Sequence, residues 1–133
     1  MRFPVSSVGI RDGLDALLTR ADEIGVPRSL AHRIAVIVDE YCSNLIRHDS
    51  TISNGSLFEI QFSEVPGGAR VVIRDRGAGF DPTTHVVQET TGIGGQGISL
   101  IRGLATELNY HSDLNGNVLE ATILADRNSE ETS

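Results

Sequence analysis

The sequence contains no lysine, only one cysteine (Cys42), and no apolar run longer than the five residues of IAVIV at 34–38. Each absence closes a route. One thiol cannot make an internal disulfide framework or a cysteine-rich zinc site. Without lysine there is no P-loop, because that motif sets a lysine ammonium on the phosphates; all eleven cations are arginines. A bilayer span needs about eighteen apolar residues, and the opening MRFPVSSVG has no apolar stretch of the secretory kind. A cytoplasmic protein without membrane contact is expected. Eleven cations against eighteen carboxylates leave a net charge of −7. Nucleic-acid affinity needs clustered cations, so no direct nucleic-acid partner is expected. A nucleotide held by backbone N–H groups and a metal is still compatible. The four histidines, at 32, 48, 85 and 111, lack metal-ligand spacing, and no serine sits in a nucleophile elbow.

What is present fits one domain with a real core: 133 residues, 39% of them apolar. The domain is expected over 1–125, and DRNSEETS at 126–133 reads as a solvated tail. FPVS at 3–6 suits a short strand. Leu14, Leu17, Leu18 and Ala21 have helical spacing, predicting a helix from about Ile10 to Ile24. GVP at 25–27 breaks it. Ser29 is a candidate cap for a second helix running to about His48, with Leu30, Ile34, Ile37, Val38, Tyr41 and Leu45 as its buried stripe. LFEIQF (57–62) and ARVVIRD (69–75) alternate as strands around a VPGG turn. Residues 76–97 show little periodicity, which is uncommon inside a compact domain and usually functional. Gly97 to Ala105 reads as a helix, and ELNYHS and NVLEATIL as a final hairpin. Helices first and antiparallel strands after them imply an α+β two-layer sandwich, with the helices on one sheet face.

Three stretches carry chemistry. In VDEYCSNLIRH, Glu40, Asn44 and His48 recur every four residues, so they stack on one helix face. That face is either wet or a site. As a site, the neutral amide oxygen of Asn44 suits Mg²⁺, which keeps waters and takes further oxygens from phosphates. Glu40, one turn away, could accept a proton from a nucleophile; His48 reads better as a helix-end residue meeting the dipole. Asp75 shares strand parity with Val71 and Ile73, so a carboxylate points toward the core, which is unfavourable unless it is hydrogen-bonded. A flat ligand with an exocyclic amine would satisfy it. Gly77 and Gly79 follow in DRGAGF, either as a plain surface turn or as a close approach of backbone to ligand. In GIGGQGISL, the N–H groups of Gly95, Gln96, Gly97 and Ile98 open a helix, where an anion is favoured.

Joined in this order, Glu40/Asn44, Asp75-Arg76-Gly77-Ala78-Gly79-Phe80 and Gly95-Gln96-Gly97 resemble the motifs of the GHKL, or histidine-kinase-like, ATP-binding superfamily. The small size and the wording of VDEYCSNLIRH, RGAGFDP and GGQGISLIRGLATELNY resemble its anti-sigma-factor serine kinases. The resemblance implies helices on a mixed, mainly antiparallel sheet, with ATP and Mg²⁺ between helices and a lid. It implies Glu40 as general base, Asn44 as the Mg²⁺ ligand and Asp75 as the reader of adenine. Gly77, Gly79, Phe80, Gly95, Gln96, Gly97 and Ile98 would shape the pocket and meet the nucleotide. The implied partners are a STAS-type anti-anti-sigma antagonist, phosphorylated on serine, and a sigma factor or its equivalent; a homodimer is among the implied assemblies. One departure stands out. Several such kinases carry an arginine in the lid before the second glycine cluster, whereas this chain reads QETTGIGG there. Arg47 and Arg102 are the candidates to meet a phosphate in its place. The departure keeps a second reading in view, a non-catalytic ATP-binding switch that sequesters a regulatory partner. The ATP domain of a histidine kinase ranks last, because the sequence shows no phosphoacceptor helix pair.

Overall fold

A computed structural model describes residues 1–48, 56–76, 100–113 and 116–125. In chain order the elements are β1 (Arg2–Pro4), α1 (Ser7–Glu23), α2 (Arg28–His48), β2 (Leu57–Val65), β3 (Gly68–Asp75), β4 (Glu107–Asp113) and β5 (Gly116–Leu124). A short helical turn at 100–104 precedes β4.

The helices start earlier than their apolar periodicity predicts, because polar and backbone groups set their ends. The Ser6 hydroxyl accepts the N–H of Gly9 at 3.0 Å, capping α1 from Ser7 onward. At the other end, Val26 N–H donates to the Ala21 carbonyl and Gly25 N–H to the Asp22 carbonyl. That pair is a Schellman motif, with Gly25 at φ +81° and both Val26 and Ala21 buried. The chain then turns directly into α2. The carbonyl of Pro27 accepts from Leu30 and Ala31, each at 3.0 Å. Pro27 therefore organises the first turn, and it has no N–H to leave unpaired there. Ser29, expected as the cap, lies inside that turn instead.

Among the described residues five strands form one sheet in the order β1-β2-β3-β5-β4, and every described pairing is antiparallel. Val65 pairs with Gly68, so β2 and β3 are joined by Pro66 and Gly67 alone. Proline followed by a glycine at φ +79° is the composition of a type II turn. The register sorts side chains into two faces. One face carries Phe58, Ile60, Val71, Ile73, Leu119, Ala121 and Ile123, all buried. The opposite face carries rows such as Arg2, Glu59 and Arg74. Helix α1 packs on β1 and β2, and α2 on β3 and β5.

The six predicted stripe residues of α2 are all buried and form one cluster with the inner sheet face. Each large aliphatic member contributes roughly 1.5–3 kcal/mol by leaving water. The α+β sandwich expected from the sequence is thus the observed one, with antiparallel pairing throughout the described strands. The predicted helix Gly97–Ala105 appears as the turn at 100–104, its first residues lying outside the described ones. The expected tail at 126–133 also lies outside them. Among the described residues no helix is long and apolar enough to cross a membrane.

The Schellman glycine gives a clean test. A Cβ built on Gly25 meets nothing within 4 Å among the described residues, so Gly25→Ala changes conformational preference without a clash. A left-handed alanine costs about 1–2 kcal/mol. Urea unfolding should show that loss as a lower midpoint with an unchanged slope.

Candidate functional site

The sheet register builds the site before any ligand is considered. Asp75 ends β3 and pairs with Asn117 on β5, which pairs with Ser112 on β4. The next rows inward are apolar: Ile73 pairs with Leu119, and Val71 with Ala121. A line of polar side chains therefore crosses one end of the inner face. They are joined in sequence. The Ser112 hydroxyl donates to Asn117 Oδ1 at 2.7 Å, and Asn117 Nδ2 donates to Asp75 Oδ1 at 2.8 Å. From the helix layer, the Tyr41 hydroxyl donates to Asp75 Oδ2 at 2.9 Å. Asp75 is 3% exposed, Asn117 1% and Tyr41 0%.

This network is the physical answer to the buried carboxylate. Burying a charge is unfavourable by several kcal/mol unless donors replace water, and hydrogen bonds to charged groups return about 1.5–3 kcal/mol each. Both oxygens of Asp75 have such a donor. The effect on the neighbours is electrostatic. Burial, then the Asp75 charge, then the hydrogen bond itself push the Tyr41 phenol far above its ordinary range. Burial, with Asp75 and Asp39 adding to it, pushes the Cys42 thiol up as well.

Tyr41 also ties Asp75 to the polar turn of α2. Asn44, one turn beyond Tyr41, is 2% exposed. Its Nδ2 donates to the Glu40 carbonyl at 2.7 Å. A carbonyl can only accept, so this contact fixes which end of the amide is nitrogen and leaves Oδ1 as its acceptor end. A neutral amide oxygen is a ligand type suited to Mg²⁺, which takes its other oxygens from phosphates and water. Among the described residues no cluster of three or more histidine, cysteine, aspartate or glutamate side chains could hold a metal by itself.

Glu40 is partly exposed, and Arg47 Nη2 lies 4.0 Å from its Oε2. At that distance and exposure the pair adds little stability, but it holds a guanidinium beside the carboxylate. Arg102 sits exposed on the turn at 100–104, above the buried Ile101. The structure thus joins Glu40 to Asn44 and to Arg47, and joins Asp75 to the same helix through Tyr41. Gly77, Gly79, Phe80, Gly95, Gln96, Gly97 and Ile98 lie outside the described residues, as does the side chain of His48.

Sequence reasoning missed Tyr41 and Asn117 as site residues. Asn117 carried the same signal as Asp75, a polar residue sharing strand parity with Leu119, Ala121 and Ile123. Tyr41 read as core, which it is, but its hydroxyl is the polar atom that the core does not need. A cavity of about 440 Å³ lies beside Asp75, lined also by Arg2, Glu59, Arg74 and Arg76. Its lining includes neither Glu40 nor Asn44, and it draws on both sheet faces, Phe58 and Asp75 from the inner one and Arg2, Glu59 and Arg74 from the outer one.

Known proteins can now be compared with this arrangement. The family model for the histidine kinase-like ATPase domain matches residues 6–123. The blue-light activated histidine kinase of Erythrobacter litoralis EL346 superposes with a TM-score of 0.56 at 22% identity, covering 78% of this chain and 33% of that one. The histidine kinase domain from the same protein gives 0.54 at 20% identity, covering 86% of this chain and 60% of that one. At those identities the likeness is one of fold, and the chain spans a third to three fifths of the length of these structures. No curated protein matches the sequence.

Two outcomes follow from the buried phenol. Tyr41→Phe keeps the ring but leaves Asp75 Oδ2 without that donor, and should lower stability by about 1–3 kcal/mol near neutrality. The folded phenol has its pKa raised above the ordinary value of about 10. Above that pH the unfolded chain loses the proton and the folded one keeps it, so the stability that Tyr41 contributes declines as pH rises. The melting-temperature gap between wild type and Tyr41→Phe should therefore be widest below pH ~9 and shrink toward pH ~11.

Proposed function

The chain belongs to the histidine kinase-like ATPase domain family, and from that membership we propose that it is a Mg·ATP-dependent protein-serine kinase that also acts as an anti-sigma factor. Family membership implies ATP binding. The finer reading is supported by one observation: Glu40, Asn44 and Asp75, in the family's motif order on a short chain, are linked through α2, Tyr41 and β3. Its substrate is a serine on a STAS-type antagonist protein, and its second partner a sigma factor or equivalent.

The roles follow from the chemistry of the side chains. When bound, ATP supplies the phosphoryl group and Mg²⁺ neutralises charge on its terminal phosphates. Asp75, an acceptor held in a buried network, selects a base that presents an amine. Asn44 offers Oδ1 to the cation. Glu40 accepts the proton of the attacking serine hydroxyl, so its carboxylate must reach the substrate from the partly exposed side of α2. Arg47, 4.0 Å from Glu40, is the cation on α2 suited to stabilise phosphoryl charge, a task that the lid sequence QETTGIGG leaves without an arginine.

That same lid composition favours a second reading, a switch that binds ATP and changes partners without phosphoryl transfer. The readings separate in one experiment. The protein is incubated with γ-labelled ATP and a STAS-type antagonist. Phosphoserine on the antagonist, absent with Glu40→Ala and reduced at least tenfold with Arg47→Ala, supports the kinase. Nucleotide binding with no labelled product supports the switch. In either case ATP at a hundred times its dissociation constant should stabilise the protein by about 2.7 kcal/mol in a thermal shift. Asp75→Asn should weaken binding at least tenfold, since a hydrogen bond to a charged group is worth about that much.

A further inference from the structure

The side chain of an aspartate turns about a soft torsion, because its χ2 is broad and roughly two-fold. In Asp75 that freedom is removed from two layers at once. Tyr41 Oη holds Oδ2 from the helix side at 2.9 Å, and Asn117 Nδ2 holds Oδ1 from the neighbouring strand at 2.8 Å. A carboxylate has about four acceptor positions. One donor on each oxygen fixes the plane of the group, and with it the direction from which any further donor is accepted.

Packing alone does not call for a tyrosine here. Its neighbours in the α2 stripe, Val38 and Leu45, are apolar and fully buried. A hydroxyl among them is unfavourable unless it finds an acceptor, and the acceptor it finds is the carboxylate of the site. We propose that Tyr41 is a specificity-determining positioning residue. By clamping Asp75 from the helix layer, it sets the margin by which a nucleobase bearing an exocyclic amine is preferred over one that lacks it. The inference rests on the ATP-binding reading above. Sites built to hydrogen-bond a ligand group discriminate strongly against analogues without it only when the protein groups cannot readjust, and Tyr41, from the helix layer, is one of the two clamps that keep Asp75 from readjusting.

The test compares ATP with purine riboside triphosphate, which carries hydrogen in place of the adenine amine, on the full chain. Wild type should bind ATP at least about tenfold more tightly than the analogue. Tyr41→Phe should shrink that preference to roughly threefold or less, while affinity for the analogue changes by no more than about twofold. A purely architectural role for the hydroxyl would lower stability and weaken both nucleotides alike, leaving the ratio intact; a folded Tyr41→Phe with the wild-type ratio overturns the proposal. If Tyr41→Phe does not fold, Asn117→Ala removes the opposite clamp and is read in the same way: a reduced ratio supports the proposal, an unchanged one overturns it. Wild type binding neither nucleotide would remove the ATP reading itself, and this inference with it.

Discussion

The burial of one carboxylate organises this protein. Asp75 stands at the end of a strand whose other inward residues are aliphatic, and it is almost as inaccessible as they are. A charge there is tolerable because each of the two layers supplies a donor. Tyr41 reaches down from α2 and Asn117 reaches across from β5. The network therefore does more than satisfy a polar group. It fixes how the long helix lies over the sheet at the point where the candidate ligand-binding residues meet, since Glu40 adjoins Tyr41 and Asn44 follows one turn later. A shift of α2 along its axis by a single residue would break the bond to Asp75 and misplace the amide together.

Much of this was legible in the sequence, and the reason is periodicity. The α2 stripe could be read because buried residues on a helix recur every three or four positions. The strands could be read because their faces alternate, and the same alternation exposed Asp75 as a polar residue in an apolar series. Asn117 obeys the same rule, a polar residue sharing parity with Leu119, Ala121 and Ile123, but a neutral amide is less anomalous in an apolar series than a carboxylate and so signals less. Tyr41 was harder. Its aromatic ring fits a core stripe, and a one-dimensional pattern cannot say whether a hydroxyl at the end of that ring meets water, backbone or a charge. Only the register between α2 and β3 supplies that.

Helix ends show the same division. Ser29 had the right chemistry for a cap, but the turn formed two residues earlier on the carbonyl of Pro27. The Schellman motif before it leaves few residues in which to change direction, so the geometry of the first helix's exit decides where the second begins. Local propensity names the candidates; the tight connection between α1 and α2 chooses among them. The cavity lined by arginines was not legible at all, because it arises from side chains on β1, β2 and β3 that become neighbours only once the sheet has assembled.

The bond between Asn117 and Asp75 joins residues 42 positions apart, and the later of the two lies on β5, the last of the described strands. During synthesis the chain grows from its N-terminus, so helices and central strands emerge well before β5. Until that strand docks, the carboxylate at the end of β3 lacks its partner from the sheet and the neighbouring edge stays open. Competence to hold a ligand is in this sense acquired only once β5 has been made, and a fragment released before that strand would be both unfinished as a sheet and lacking one of the two donors to the carboxylate.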